Sequence, residues 1–350
     1  MKIGILTASR TDNNGTDLQA KAMLNMFIRL GASNVELINY ICPKLESKSR
    51  VYDFSSIKKI LYFPKRLFLH LSHERFRKEH FKRSHIYNSN NISQNHYDTI
   101  VVGSDQIWNI PLTGYDLNFF LPFASNGTRK YSYAASIGRT DIKSLSIKYG
   151  LKDLLSEFDG ITVREESGVS ALSEIGVNAK YALDPILMGN REDWNTFIEA
   201  PAFKTKYILL YLITNNSPAI NYAKTLAKQK GYKIINCSPG LKHLSGIINM
   251  HFVGVEKWLN LVANAELVLT SSYHCLSFCL LFHTEFYLMP IENAESNARM
   301  QNLLERFELS ERVLQWEPNF KTSIDWSKVD NKLQSLRIES EQYVKSIIEK

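Results

Sequence analysis

The sequence predicts an α/β protein of two Rossmann-like domains facing a cleft. Three observations predict it. A β-loop-α-β pattern opens the chain, the pattern restarts after Ala200-Pro201, and 350 residues exceed what one ordinary core organises. The boundaries read as 1–200 for the first domain, 201–310 for the second, and 311–350 for a tail helix expected to cross back to the first.

Lys2 to Ala8 (KIGILTA) is an apolar run of strand length, followed by the polar loop SRTDNNG. Ala20, Met23, Phe27 and Leu30 then recur at helical spacing up to Gly31, and Asn34 to Tyr40 returns to a strand. No G-x-G occurs anywhere, so a dinucleotide fingerprint is excluded. Asn13, Asn14 and Gly15 lie where a helix begins. They serve a polar ligand there or simply make a tight turn.

Tyr97 to Asn109 (YDTIVVGSDQIWN) is a buried strand ending at Gly103, with Ser104, Asp105, Gln106 and Asn109 beyond its carboxyl end. Open α/β sheets collect ligands at that edge, which makes Asp105 a candidate acid–base residue. Lys130 to Gly138 is a further strand, Ile161 to Gly168 carries Arg164 into a helix start, and Ala179 to Pro185 closes on Asp184-Pro185. In the second half, Tyr207 to Thr214 and Lys233 to Ser238 are strands separated by a helix that stops at Gly231.

The most informative stretch is Glu266 to Pro290, a strand, the turn Ser271-Ser272-Tyr273-His274, an apolar helix and another strand. The serines stand at N-cap positions, and a helix N-terminus above a strand end favours an anion. That positive end also favours neutral His274, leaving a ring nitrogen to accept a proton. A capped, merely satisfied histidine is the plain alternative. Arg299 enters the next amphipathic helix.

Charge is distributed unevenly. The net +7 equals the excess of residues 57–85, where nine Lys/Arg face Glu74 and Glu79. Apolar residues alternate with the cations there. Three readings stand for this segment: a solvated helical excursion over the sheet edge, contact with an anionic membrane surface, or a phosphate-rich ligand. No recognition motif accompanies the charge, so nucleic acid is not an expected partner. The four cysteines fit reduced thiols, and the opening residues lack a signal-peptide pattern, so a cytoplasmic location is expected. D-x-D, H-E-x-x-H, G-x-S-x-G, P-loop and C-x-x-C motifs are missing. Neither a metal nor another cofactor is expected.

YDTIVVGSDQIWN, VREESG with LDPIL, and TSSYHCLSFCLLF with the Arg299 helix together resemble the polysaccharide pyruvyl transferase family. The resemblance covers most of residues 1–310 and implies a GT-B-like fold. It also implies transfer of a pyruvyl group from phosphoenolpyruvate onto a sugar of a surface-polysaccharide precursor, as a ketal. It carries a family arginine onto Arg164 and a family histidine onto His274. Better-studied members have an arginine where this chain has Tyr273, and many have glycine where it has Cys275.

On this reading His274 and Asp105 are the catalytic candidates. The substrate-binding candidates are Arg164, Asn13, Asn14, Gly15, Ser104, Gln106, Asn109, Ser271, Ser272, Tyr273 and Arg299. The expected partners are phosphoenolpyruvate and a lipid-linked sugar acceptor, with the 57–85 segment at the inner membrane face. Two other functions stay open. One is a GT-B glycosyltransferase using a nucleotide-sugar; the other is a non-catalytic surface-binding protein.

Overall fold

The computed structural model describes residues 1–49, 51–138, 140–201, 203–239, 243–291, 294–314 and 323–349. The chain divides into two compact units, Met1–Met188 with Ser335–Lys350, and Gly189–Gln334. Each is an α/β layer structure built on a wholly parallel sheet.

The first unit has seven strands: β1 (Ile3–Leu6), β2 (Val35–Tyr40), β3 (Arg83–Tyr87), β4 (Thr99–Val102), β5 (Arg129–Ala135), β6 (Gly160–Val163) and β7 (Lys180–Tyr181). Their spatial order is β3-β2-β1-β4-β5-β6-β7. The order reverses between β1 and β4, where Ile3 pairs with Thr99 and Leu6 with Val102. A crevice opens at such a reversal because the two connecting loops leave in opposite directions. The strands read as continuous apolar runs because helices cover both faces of a parallel sheet. Leu6, Ile38, Ile100 and Val102 belong to one core with Trp108, which stacks on Phe120 at 5.5 Å.

The second unit has β8 (Tyr207–Tyr211), β9 (Lys233–Asn236), β10 (Ile248–Asn249), β11 (Leu267–Thr270) and β12 (Phe286–Leu288), ordered β10-β9-β8-β11-β12. Its reversal lies between β8 and β11. The helix Tyr273–Phe282 is buried along its whole length, which explains why YHCLSFCLLF shows no polar face.

Three sequence expectations are revised here. Residues 83–85 are not part of an excursion: Arg83–Tyr87 is an edge strand paired with β2 through Asn39 and Ile86. The basic segment is not simply solvated, because His73 and Arg77 are fully buried. Residues 189–200, read with the first domain, cluster with the second unit. The cause is Trp194, buried with its ring edge-on to Phe278 at 5.1 Å, and Arg191, which donates to the Phe282 carbonyl at 2.6 Å. Edge-to-face pairs add about 0.5–1.5 kcal/mol beyond burial.

The last helix is Trp326–Ile348, and its residues from Ser335 belong to the first unit. Tyr343 donates to the Ser132 carbonyl at 3.0 Å, and Ser340 Oγ accepts from Leu183 N–H at 3.0 Å. Residues 315–322 of the expected tail lie outside the described residues.

Candidate functional site

The first unit's reversal point brings the β1 and β4 loops into direct contact. The helix Asn14–Arg29 starts there with Asn13 as N-cap, its side chain accepting from Thr16 N–H at 3.2 Å. Asn14 and Gly15 lie buried in the first turn. Thr16 Oγ1 donates to Asp105 Oδ2 at 3.0 Å, and Gln106 N–H donates to Asp105 Oδ1 at 2.8 Å. Asp105 holds a left-handed φ of 60°. Such a conformation costs an L-residue about 1–2 kcal/mol, least for Asp and Asn. The two hydrogen bonds and its carbonyl bond from Ser136 N–H at 3.0 Å hold it there. Each carboxylate oxygen thus accepts one hydrogen bond.

Two glycines are demanded by this geometry. A Cβ at Gly103 would sit 2.1 Å from the Tyr133 carbonyl oxygen. One at Gly138, where φ is 59°, would sit 2.4 Å from Asn109 Nδ2. Asn109 Nδ2 in turn donates to Gln106 Oε1 at 2.8 Å, so Gly138 seats the Gln106–Asn109 pair against the β5 end.

Beneath this edge lies a buried ionic group. Arg164 Nη1 donates to Asp184 Oδ2 at 2.8 Å, with neither side chain exposed. Ser104 Oγ donates to the same oxygen at 3.2 Å, and Ile186 N–H to Asp184 Oδ1 at 3.0 Å. Glu165 is also buried and accepts from Ser136 Oγ. Burial, and then the nearby Asp184 and Glu165 charges, hold the Tyr181 hydroxyl far above its usual range. Arg164, a substrate-binding candidate, has its guanidinium shut into the interior. What it grips is Asp184, and through it Ser104.

The second unit repeats the topology with different chemistry. Ser271 Oγ, after β11, accepts from Ile213 N–H, after β8, at 2.8 Å. Thr270 Oγ1 donates to the Tyr211 carbonyl at 3.0 Å and accepts from Ser272 N–H at 3.0 Å. Ser272 is the N-cap of Tyr273–Phe282, its Oγ accepting from Cys275 N–H at 3.5 Å. His274 is therefore the second residue of the helix. It is buried, with its ring edge-on to Tyr273 at 5.9 Å. A second helix, Ser217–Lys230, also starts beyond β8, with Asn216 capping Ala219 N–H at 2.9 Å. Two helix N-termini thus follow the two strands that flank the reversal. The N–H groups and dipole of a helix N-terminus favour an anion. Arg299 is half-buried on the helix Ala294–Arg306, which packs against Tyr273–Phe282.

The structure therefore gathers Asn13, Asn14, Gly15, Ser104, Asp105, Gln106 and Asn109 at one sheet edge. It links Arg164 to them through Asp184, and keeps Ser271, Ser272, Tyr273 and His274 on one turn of the other unit. Thr16, Asp184, Glu165 and Asn216 were missed in the sequence. Asp184-Pro185 was read only as a strand end, although an aspartate before a proline at a carboxyl edge was a usable signal. Thr16 carried none. Among the described residues no group of His, Cys, Asp and Glu has a metal-holding arrangement.

The sequence matches the family model for polysaccharide pyruvyl transferase over residues 13–293. No curated protein matches it. Among solved structures, it is similar to the UDP-GlcNAc 2-epimerase of Methanocaldococcus jannaschii in complex with UDP-GlcNAc and UDP. That pair has 15% identity and TM-score 0.46, over 97% of this chain and 99% of that one. The Neisseria meningitidis UDP-GlcNAc 2-epimerase bound to UDP-GlcNAc gives 10% and 0.49, over 99% and 94%. The E. coli ADP-heptose lps heptosyltransferase II gives 11% and 0.42, over 97% and 100%.

Proposed function

The chain belongs to the polysaccharide pyruvyl transferase family, and on that premise we propose that it moves the pyruvyl group of phosphoenolpyruvate onto two hydroxyls of a sugar in a surface-polysaccharide precursor. The observation that carries this reading is His274 at a capped helix N-terminus on the second unit's reversal point. Phosphoenolpyruvate presents a carboxylate and a phosphate, and helix N-termini bind such groups through backbone N–H donors.

The reaction is a proton-transfer problem. A proton is added to the methylene carbon, which makes the neighbouring carbon electrophilic. One sugar oxygen bonds to that carbon, the carbon–phosphate oxygen bond breaks, and a second sugar oxygen completes the ketal. Two hydroxyl protons are lost; one is now on the methyl group and the other leaves with phosphate. A residue that both gives and takes a proton near neutral pH suits this balance, and His274 is assigned that role. Asp105, a hydrogen-bonded carboxylate, accepts from sugar hydroxyls and is the second acid–base candidate. Arg164 acts as a positioning residue through Asp184. The reaction as written needs no cofactor. A lipid-linked acceptor fits a precursor assembled at a membrane surface.

Thermal unfolding with phosphoenolpyruvate, UDP, GDP and CMP tests the donor. Saturation at 100 times the dissociation constant stabilises by about 2.7 kcal/mol, a rise of several degrees. A rise with phosphoenolpyruvate is expected. A rise with a nucleotide only would move the reading to glycosyl transfer from a nucleotide-sugar, whose diphosphate suits the same helix ends.

A further inference from the structure

The basic segment is built the wrong way round for a solvated helix. In Phe63–His80 the inward side carries charge. Arg77 Nε donates to Asp17 Oδ1 at 2.9 Å, and its Nη1 to Glu74 Oε1 at 2.7 Å. His73 Nδ1 lies 2.6 Å from Asp17 Oδ2, with both side chains buried. Arg77 also bonds the Thr11 carbonyl and reaches Asp12 Oδ1 at 3.3 Å. The outward side carries Phe68 and Leu71, which are 68% and 57% exposed. Positions 65, 68, 71, 75 and 78 recur every three or four residues, so exposed Lys65, Arg75 and Lys78 share that face. The preceding helix Ile57–Leu61 adds Ile57, Ile60 and Leu61, from 53% to 78% exposed.

We propose that this outward face, from Ile57 to Lys78, docks on an anionic phospholipid bilayer. Several large exposed apolar side chains among cations on two successive helices suit a contact surface. Its charge selects the occupant. Of the segment's two acids, Glu74 bonds Arg77, while Glu79 is exposed on the outward side, one acid there against Lys65, Arg75 and Lys78; the neighbouring Asp53 bonds Lys59 Nζ at 2.6 Å. The outward face is therefore cationic between its apolar residues. A second copy of the chain would bring an identical cationic face, and like charges across such an interface oppose pairing. An anionic bilayer supplies acyl chains for the apolar side chains and headgroups for the lysines and Arg75.

The inward clasp adds a consequence. Because Arg77 and His73 grip Asp17, Asp12 and the Thr11 carbonyl, the docked helix is tied to the loop that carries Asn13. Docking thereby fixes the β1 end of the first unit's reversal point against the lipid. The inference rests on this surface and not on the identity of the donor, so the ligand panel and the lipid test fail independently.

The test is co-sedimentation of the full chain with vesicles of phosphatidylcholine alone, or of phosphatidylcholine with phosphatidylglycerol. Wild type is expected to pellet with the second and not the first. The quadruple variant Ile57→Ser, Leu61→Ser, Phe68→Ser and Leu71→Ser should lose at least about tenfold in partitioning. Lys65→Glu with Lys78→Glu should lose roughly fivefold or more for each cation removed. Both variants alter exposed side chains and should keep the wild-type melting temperature. Equal pelleting of the quadruple variant, or no pelleting of wild type with either vesicle, overturns the proposal. So does a wild-type dimer in analytical ultracentrifugation that the quadruple variant returns to monomer, which would make the face a self-interface.

Discussion

The two reversal points share a topology and differ in how charge is placed. In the first unit a carboxylate, Asp105, sits at the edge and an ion pair, Arg164–Asp184, lies beneath it. In the second, hydroxyls of Thr270, Ser271 and Ser272 bond backbone groups, and the polarity comes from two helix ends. Fixed negative charge suits hydroxyl donors; helix-end polarity suits anions. One sheet order therefore carries two different polar edges, because the loops and not the strands supply the polar groups.

The largest effect expected from this contrast is on catalysis. His274→Ala should lower turnover by about 10²–10⁴-fold while the protein still folds, since it removes the acid–base group. Steady-state kinetics beside a urea unfolding curve checks both halves. Full activity in a folded variant would end the assignment.

Arg164→Ala should do the opposite, showing first in stability. Leaving Asp184 buried without its partner costs about 3–5 kcal/mol. Chemical denaturation measures this. A cost below about 1 kcal/mol would mean the pair does not organise the edge.

Thr16→Val removes one hydrogen bond to Asp105 and should cost about 1 kcal/mol. If Asp105 takes part in turnover, the pH–rate profile should move as well; an unmoved profile would confine Thr16 to a structural role. The smallest effect concerns the thiols. Burial pushes the Cys42 thiol up to about 11, and raises Cys237 and Cys279 well above the usual thiol range. Native protein at pH 8 should react slowly with a thiol reagent at every cysteine, and fast in guanidinium. One fast native thiol would show a reversal point more open than the structure has it.

The runs KIGILTA, TIVV, YILLY and LVLT were legible as strands because their partners in a parallel sheet require apolar side chains on both faces. Ser272 was legible as a cap because capping is decided within three residues. His73 and Arg77 were not legible. Their partners Asp12 and Asp17 lie roughly sixty residues away, and a pattern of cations and apolar residues does not say which side faces inward. Arg164 was legible as a notable residue, but its engagement with Asp184 depends on how the β6 and β7 ends are brought together.

By itself the sequence determined the two parallel α/β units, the loops at the strand ends and the family, since all are written in local apolar runs, caps and short motifs. Tertiary structure alone decided that residues 189–200 join the second unit through Trp194, that Arg83–Tyr87 closes the first sheet, and that the basic helix turns His73 and Arg77 inward. Those outcomes depend on which distant groups share a buried space, where an unpaired charge is costly and an apolar side chain left in water is not held there by anything in its own neighbourhood.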